Sequence, residues 1–182
     1  NTFESEWGFS CMSYEISGAL GIKMAKPDQD VVVFVGDGSY LLANSDIYSS
    51  VIYDKKLIII VCDNGGHMVI NRLQLAKGGK EYICNLRSAR ATNLQFVDFE
   101  AHAKSMGANG ETVTSTSELE AAFLRAKKSD KTYVISIQTH GYEWLEESSF
   151  WESPTSEVHT TEANKKAYED FVEGKNKQRK GV

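Results

Sequence analysis

Residues 31–66 read VVVFVGDGSYLLANSDIYSSVIYDKKLIIIVCDNGG, two apolar runs that each break off at a polar turn. The first run, Val31 to Val35, meets Asp37 between Gly36 and Gly38; the second, residues 57–62, meets Asp63 and Asn64. An unpaired charge is costly inside a buried strand, so Asp37 belongs just past the strand's end, where the glycines let the backbone turn. A helix is expected between the runs, over residues 40–53, with Leu41, Ile47, Val51 and Ile52 on its buried side. Uninterrupted apolar strands joined through a helix indicate a parallel sheet covered on both faces. Right-handed crossovers then bring Asp37 and Asn64 to one edge of that sheet, the edge where open α/β sheets bind ligands. The fold class read from this stretch is a doubly wound, mainly parallel α/β sheet with helices on both faces.

The flanking sequence extends the pattern. Met12, Ile16, Ala19, Leu20 and Met24 keep helical spacing up to the break at Pro27. A short helix is expected over residues 67–75, and a long loop over 77–95. Residues 98–108 read as a helix stopped by Gly107. Residues 117–128 read as another, with Ser117 as its cap and Phe123 and Leu124 facing the core. Residues 132–138 form the third strong strand. Beyond them comes an aromatic stretch with Tyr142, Trp144, Phe150 and Trp151, then a charged helical run over 162–179. The expected organisation is an α/β domain over residues 1–140, with the aromatic segment and charged tail of 141–182 packed on that same domain.

With 182 residues, the chain is long enough for a sizeable core. A net charge of -5, without a basic stripe, argues against a nucleic-acid partner. No segment approaches the ~18 apolar residues of a membrane span. Cys11, Cys62 and Cys84 lack paired ligand spacing and read as reduced thiols of a cytoplasmic protein. Asn1 rather than Met opens the chain, which reads as a piece of something longer.

The two strand ends carry oxygen ligands of the kind a hard divalent cation takes. Mg²⁺ favours six oxygens in octahedral array and often shares its shell with phosphates. Asp37 offers a carboxylate, Asn64 an amide oxygen, and the glycine turn a main-chain carbonyl, most simply that of Gly66. The N–H groups of Gly38 and Ser39 are placed to cradle a phosphate. Ser39 serves equally as a helix cap.

Glycine-Asp-Gly, a helix, an apolar strand and then an Asn pair resembles the signature of the thiamine diphosphate enzymes. Here Asp63 replaces the first Asn, and Asn64 keeps the metal-binding second position. The segment SCMSYEISGALGIKMA, residues 10–25, is similar to the part of that superfamily that holds the cofactor's pyrimidine, with Ser13 where a glycine is usual. The resemblance implies that the Ser10 carbonyl accepts the pyrimidine amino group and that Met12 is the apolar wedge bending the cofactor. Met12 reads also as ordinary core. By the same match Gly36, Asp37, Gly38, Ser39, Asn64, Gly66 and His67 belong to cofactor binding, and Asp37, Asn64 and Gly66 to the metal. His67 reads either as a main-chain phosphate contact or as a solvent-facing loop residue.

Within the superfamily the motifs CMSYEI, GDGSYLLANSDI, the run GYEW to Trp151, and SEVHTTEANKKAYE resemble the inositol-catabolic hydrolases that open a cyclic trihydroxy dione. That likeness implies C–C bond cleavage next to a carbonyl, with 5-deoxy-glucuronate as product. It also implies a homodimer or homotetramer with active sites between subunits. The activating Glu of the family lies in a separate N-terminal domain, so no catalytic residue is assigned here; Glu15 reads as an ion-pair or capping partner. Three other readings remain. One is an acetolactate synthase-like or decarboxylating member of the superfamily, another a Mg²⁺-binding signalling receiver, and the third a cofactor-free interaction domain.

Overall fold

The computed structural model describes residues 3–5, 11–88, 93, 95–143 and 155–178. Its elements fall into two compact units, residues 1–66 with 93–139, and residues 67–92 with 140–182.

The first unit is built on four parallel strands, β1 (Val32–Gly36), β2 (Ile58–Asp63), β3 (Asn109–Val113) and β4 (Tyr133–Gln138), in the order β1-β2-β4-β3. Gly36 pairs with Cys62, and Asp63 with Gln138, so the strands end along one edge. The chain steps one way from β1 to β2 and back from β3 to β4. With right-handed crossovers that reversal places the connecting helices on opposite faces. On one face Ile16 and Leu20 of α1 (Tyr14–Ala25), Ile47 of α3 (Ser45–Ile52) and Phe99 of α5 (Phe99–Ser105) pack on Val33, Val35, Ile59 and Val61. On the other, Ala122 and Ala126 of α6 (Thr116–Lys128) pack on Ile58, Val113 and Ile135.

Five details depart from the expectations above. The helix after the glycine turn starts at once, as α2 (Asp37–Leu42), and α3 begins anew at Ser45. Asn44 and Ser45 are residues that favour helix ends over interiors, and the chain breaks there. Leu41 and Ile52, expected inside, are exposed. Two overlapping capping boxes precede α6, one from Ser115 to Glu118 and one from Ser117 to Glu120. The first is used: Ser115 Oγ accepts the Glu118 N–H, and the Glu118 carboxylate accepts the Thr114 N–H. In that frame α6 presents Ala122 and Ala126, with Phe123 partly buried and Leu124 exposed. The strand β3, NGETV, lacks an apolar run; it lies at the sheet edge and buries only Gly110 and Val113. Finally, β1 buries one face only, leaving Val32 and Phe34 exposed.

The second unit holds α4 (Met68–Ala76), a short 3₁₀ turn (Leu86–Ser88) and α7 (Glu162–Lys177). The loop after α4 is tied down within this unit. Gly78, at φ +75°, lies so close to α7 that a Cβ would sit 2.4 Å from the Ala163 carbonyl oxygen. Asn164 donates to the Lys77 carbonyl at 3.2 Å, and Tyr142 OH donates to Glu81 at 2.9 Å. Trp144, Phe150 and Trp151 lie outside the described residues.

Candidate functional site

The ends of β1 and β2 bring the expected ligands together. Asp37 follows directly on β1 and is only 2% exposed. Burial, and then the neighbouring charge of Asp63, push its carboxyl above the usual carboxylate range; main-chain N–H groups of Asn64, Gly38 and Gly66 pull the other way. Burying this charge is a local cost that the N–H donors ease and that a bound cation would offset further.

The β2 end is shaped by its turn. Asp63 Oδ1 accepts the Gly65 N–H at 3.1 Å, an Asx turn, and the Asp63 carbonyl accepts the Thr139 N–H. Gly65 and Gly66 take φ of 84° and 139°, which other residues rarely adopt. This turn sets the Asn64 side chain between Asp37 and the Gly66 carbonyl, with the Gly66 N–H facing the Asp37 carboxylate. Asn64 has two ways to face that corner. With its nitrogen inward it donates to Asp37 Oδ1 at 3.1 Å and to the Gly66 carbonyl at 2.8 Å. With its oxygen inward, that oxygen stands 3.1 Å from Asp37 Oδ1 and 2.8 Å from the Gly66 carbonyl oxygen, a crowding of acceptors that a bound cation would relieve. Neighbouring ligands of octahedral Mg²⁺, at 2.0–2.1 Å from the metal, lie about 2.8–3.0 Å apart. The donor set, one carboxylate, one amide and one carbonyl, therefore fits Mg²⁺. Among the described residues no three His, Cys, Asp or Glu side chains form a metal group, so the mixed set is the candidate.

The remaining predicted residues are placed as follows. Gly36 ends β1 in an extended conformation, and Gly38 and Ser39 are buried in the first turn of α2. Ser39 is not a cap: its hydroxyl lies inside α2 and is engaged by α1. Ser13 N–H donates to Ser39 Oγ at 2.7 Å, Ser13 Oγ donates to the Ser39 carbonyl at 2.5 Å, and Ser39 Oγ donates to Glu15 at 3.1 Å. Met12 lies in the turn before α1, 45% exposed, and so is not part of the core. Ser10 lies outside the described residues. His67 opens the second unit, exposed, with its N–H donated to the Cys84 carbonyl. The sequence reading missed Ser13 and the Asx turn of Asp63. An Asp-Asn-Gly tripeptide signals such a turn; nothing local joins Ser13 to a residue 26 positions away.

The family described as "Thiamine pyrophosphate enzyme, C-terminal TPP binding domain" matches residues 1–137. The chain belongs to this family. As a thiamine pyrophosphate-binding domain it is 39% identical over 175 residues to the "3D-(3,5/4)-trihydroxycyclohexane-1,2-dione hydrolase" of Halalkalibacterium halodurans, covering 93% of this chain and 27% of that one. It is 38% identical to the hydrolase of the same name from Bacillus subtilis, over 93% of this chain and 26% of that one. The domain thus spans about a quarter of the length of the curated relatives it matches. Among solved structures, the Rhodococcus jostii RHA1 thiamine diphosphate-dependent 4-hydroxybenzoylformate decarboxylase is similar with a TM-score of 0.59 at 23% identity, covering 71% of this chain and 23% of that chain. That likeness shows the shared α/β fold.

Proposed function

We propose that this domain holds the Mg²⁺ and the diphosphate of thiamine diphosphate, in an enzyme that hydrolytically opens the ring of trihydroxycyclohexane-1,2-dione to 5-deoxy-glucuronate. The observation that supports the metal reading is the Asn64 side-chain amide lying 3.1 Å from Asp37 Oδ1 and 2.8 Å from the Gly66 carbonyl oxygen. The substrate reading rests on the hydrolase relatives at 38–39% identity. Bound thiamine diphosphate supplies a nucleophilic thiazolium carbon that attacks a carbonyl and lets the adjacent C–C bond break.

Within that chemistry this chain's residues bind and orient. Asp37, Asn64 and the Gly66 carbonyl hold the cation that neutralises the diphosphate. Met12, exposed in the turn before α1, offers an apolar surface for the pyrimidine side. The chain supplies no general acid in this reading; the activating Glu belongs to another domain, normally on a neighbouring subunit. A cytoplasmic homodimer or homotetramer is the matching assembly. Exposed Leu41, Leu42 and Tyr48, with Tyr53 just past α3, support an interface along α2 and α3. No helix among the described residues is long and apolar enough to cross a membrane.

The test is calorimetric titration of thiamine diphosphate into the full-length protein with and without Mg²⁺, followed by assay of the cyclic dione for ring-opened acid. Asp37→Ala is expected to abolish the Mg²⁺-dependent part of binding, and wild-type affinity in that variant overturns the metal assignment. Carbon dioxide release from 2-oxo acids, with the dione untouched, overturns the substrate.

A further inference from the structure

The turn before α1 and the first turn of α2 are clasped together by three side chains outside the metal corner. Ser13 holds Ser39 twice, through its N–H on Ser39 Oγ and its own hydroxyl on the Ser39 carbonyl. Ser13 does so from φ 74°, a left-handed conformation costly for a residue with a Cβ, while 6% exposed. The clasp therefore stabilises a strained turn, and that turn carries Met12. At the other end Ser39 is two residues from Asp37 in the same helical turn.

A serine hydroxyl has one proton to donate and two lone pairs to accept with. At Ser39 the Ser13 N–H takes a lone pair, and the Glu15 carboxylate, with its two oxygens 3.1 and 3.3 Å away, takes the proton. Glu15 thereby fixes the hydroxyl rotor: with the proton committed to the carboxylate, a lone pair is left facing Ser13. Without that acceptor the hydroxyl is free to swing its proton elsewhere, and the strained turn loses an oriented partner.

We propose that Glu15 is a positioning residue for cofactor binding. It acts through Ser39, holding the Met12 turn and the Asp37 turn in register so that the apolar surface and the metal ligands meet one ligand together. The proposal rests on the reading of Asp37 and Met12 given above. Glu15 works as a hydrogen-bond acceptor, not as a charge: a carboxylate acting by charge beside a diphosphate site would weaken anion binding, and its removal would tighten it.

The experiment titrates thiamine diphosphate into the full-length protein at saturating Mg²⁺, each variant being checked for folding by its circular-dichroism melt. Glu15→Ala is expected to weaken binding about fivefold to tenfold, and Glu15→Gln, which keeps an acceptor oxygen at that reach, to stay within about twofold of wild type. Ser39→Ala should match Glu15→Ala, and the double variant should be no weaker than Ser39→Ala alone, because residues acting as one unit are not additive. Should Glu15→Ala not fold, Glu15→Asp, which keeps the charge but falls short by a methylene, takes its place with the same expected loss. Wild-type affinity in Glu15→Ala, tighter binding in both Glu15→Ala and Glu15→Gln, or additive losses in the double variant each overturn the proposal. Asp37→Ala run alongside separates the two readings. If it too binds normally, the cofactor site itself is misplaced; if it alone loses binding, only the clasp is.

Discussion

Ser13 at φ 74° sets a residue with a Cβ where glycine has no penalty, and the two bonds to Ser39 keep it there. Two substitutions separate strain from bonding. Ser13→Ala keeps the strain and loses the hydroxyl bond, whereas Ser13→Gly loses the same bond but relieves the strain. Thermal melts are therefore expected to place the alanine variant about 1 kcal/mol below the glycine variant; equal melting would mean the conformation is not strained. Asp37 is the opposite case, a buried carboxylate whose charge is costly to the fold unless, as proposed, a cation sits beside it. Asp37→Asn removes the buried charge, and is expected to raise the melting temperature of the metal-free protein by a few degrees while Mg²⁺ no longer raises it further. A variant that melts lower than wild type without metal would show that the N–H groups around Asp37 outweigh its burial.

At the level of elements, Thr132, just before β4, ties that strand to α3 and to the residue leading into β2. Its hydroxyl shares a hydrogen bond with Ser50 of α3 at 2.7 Å and accepts the Leu57 N–H at 3.1 Å, with Thr132 itself 1% exposed. Thr132→Val keeps the shape and strands the Leu57 N–H, while Ser50 keeps its bond to the Ile47 carbonyl, so chemical denaturation should show a loss of about 1–3 kcal/mol. The edge strand β3 is held differently, by charge. Arg125 of α6 grips Glu111 in a two-pronged pair at 2.6 and 3.1 Å, and Tyr133 OH donates to the same carboxylate at 2.7 Å. Chiefly through the Arg125 hydrogen bond, these contacts hold the Glu111 carboxyl below its ordinary 4.5. A lowered carboxyl stabilises the fold above the unfolded value and loses that contribution as pH falls through the folded one. Glu111→Gln is therefore expected to melt below wild type at pH 7, with the gap closing as the medium is acidified below about pH 4.5. A gap that persists undiminished in acid would assign the effect to packing rather than to the ion pair.

For the molecule as a whole, cofactor binding and chemistry should separate. Residues 1–182 on their own carry the metal corner and the Met12 turn, so they are expected to bind thiamine diphosphate with Mg²⁺, more weakly than the full-length protein. With the cyclic dione added they should yield no ring-opened acid, because among the described residues the carboxylates near the strand ends are engaged: Asp37 sits against Asn64, Asp63 holds its turn, and Glu15 accepts from Ser39. Chromatography of the reaction mixture decides this. Steady acid production would place the activating group inside this chain.

How much of this was legible beforehand follows from the range of the interactions involved. Runs such as 57–62 are strands because they are apolar throughout, and a glycine-flanked Asp at a strand end is confined to the turn by the cost of burying its charge; both are local facts written in adjacent residues. Parallel pairing and one shared edge follow from them through chain handedness. That was enough for the α/β class and for the placing of Asp37 and Asn64 at one sheet edge. Distance along the chain hid the rest. β3 has no apolar run and becomes a strand only because β4 offers it a partner edge. The choice between two overlapping capping boxes at α6 falls to whichever sets Ala122 and Ala126 against the sheet. The clasp of Ser13, Glu15 and Ser39 spans 24 to 26 positions and comes into being only when α1 packs beside β1. Tertiary packing alone supplies such contacts, since each partner's local sequence is equally content with water.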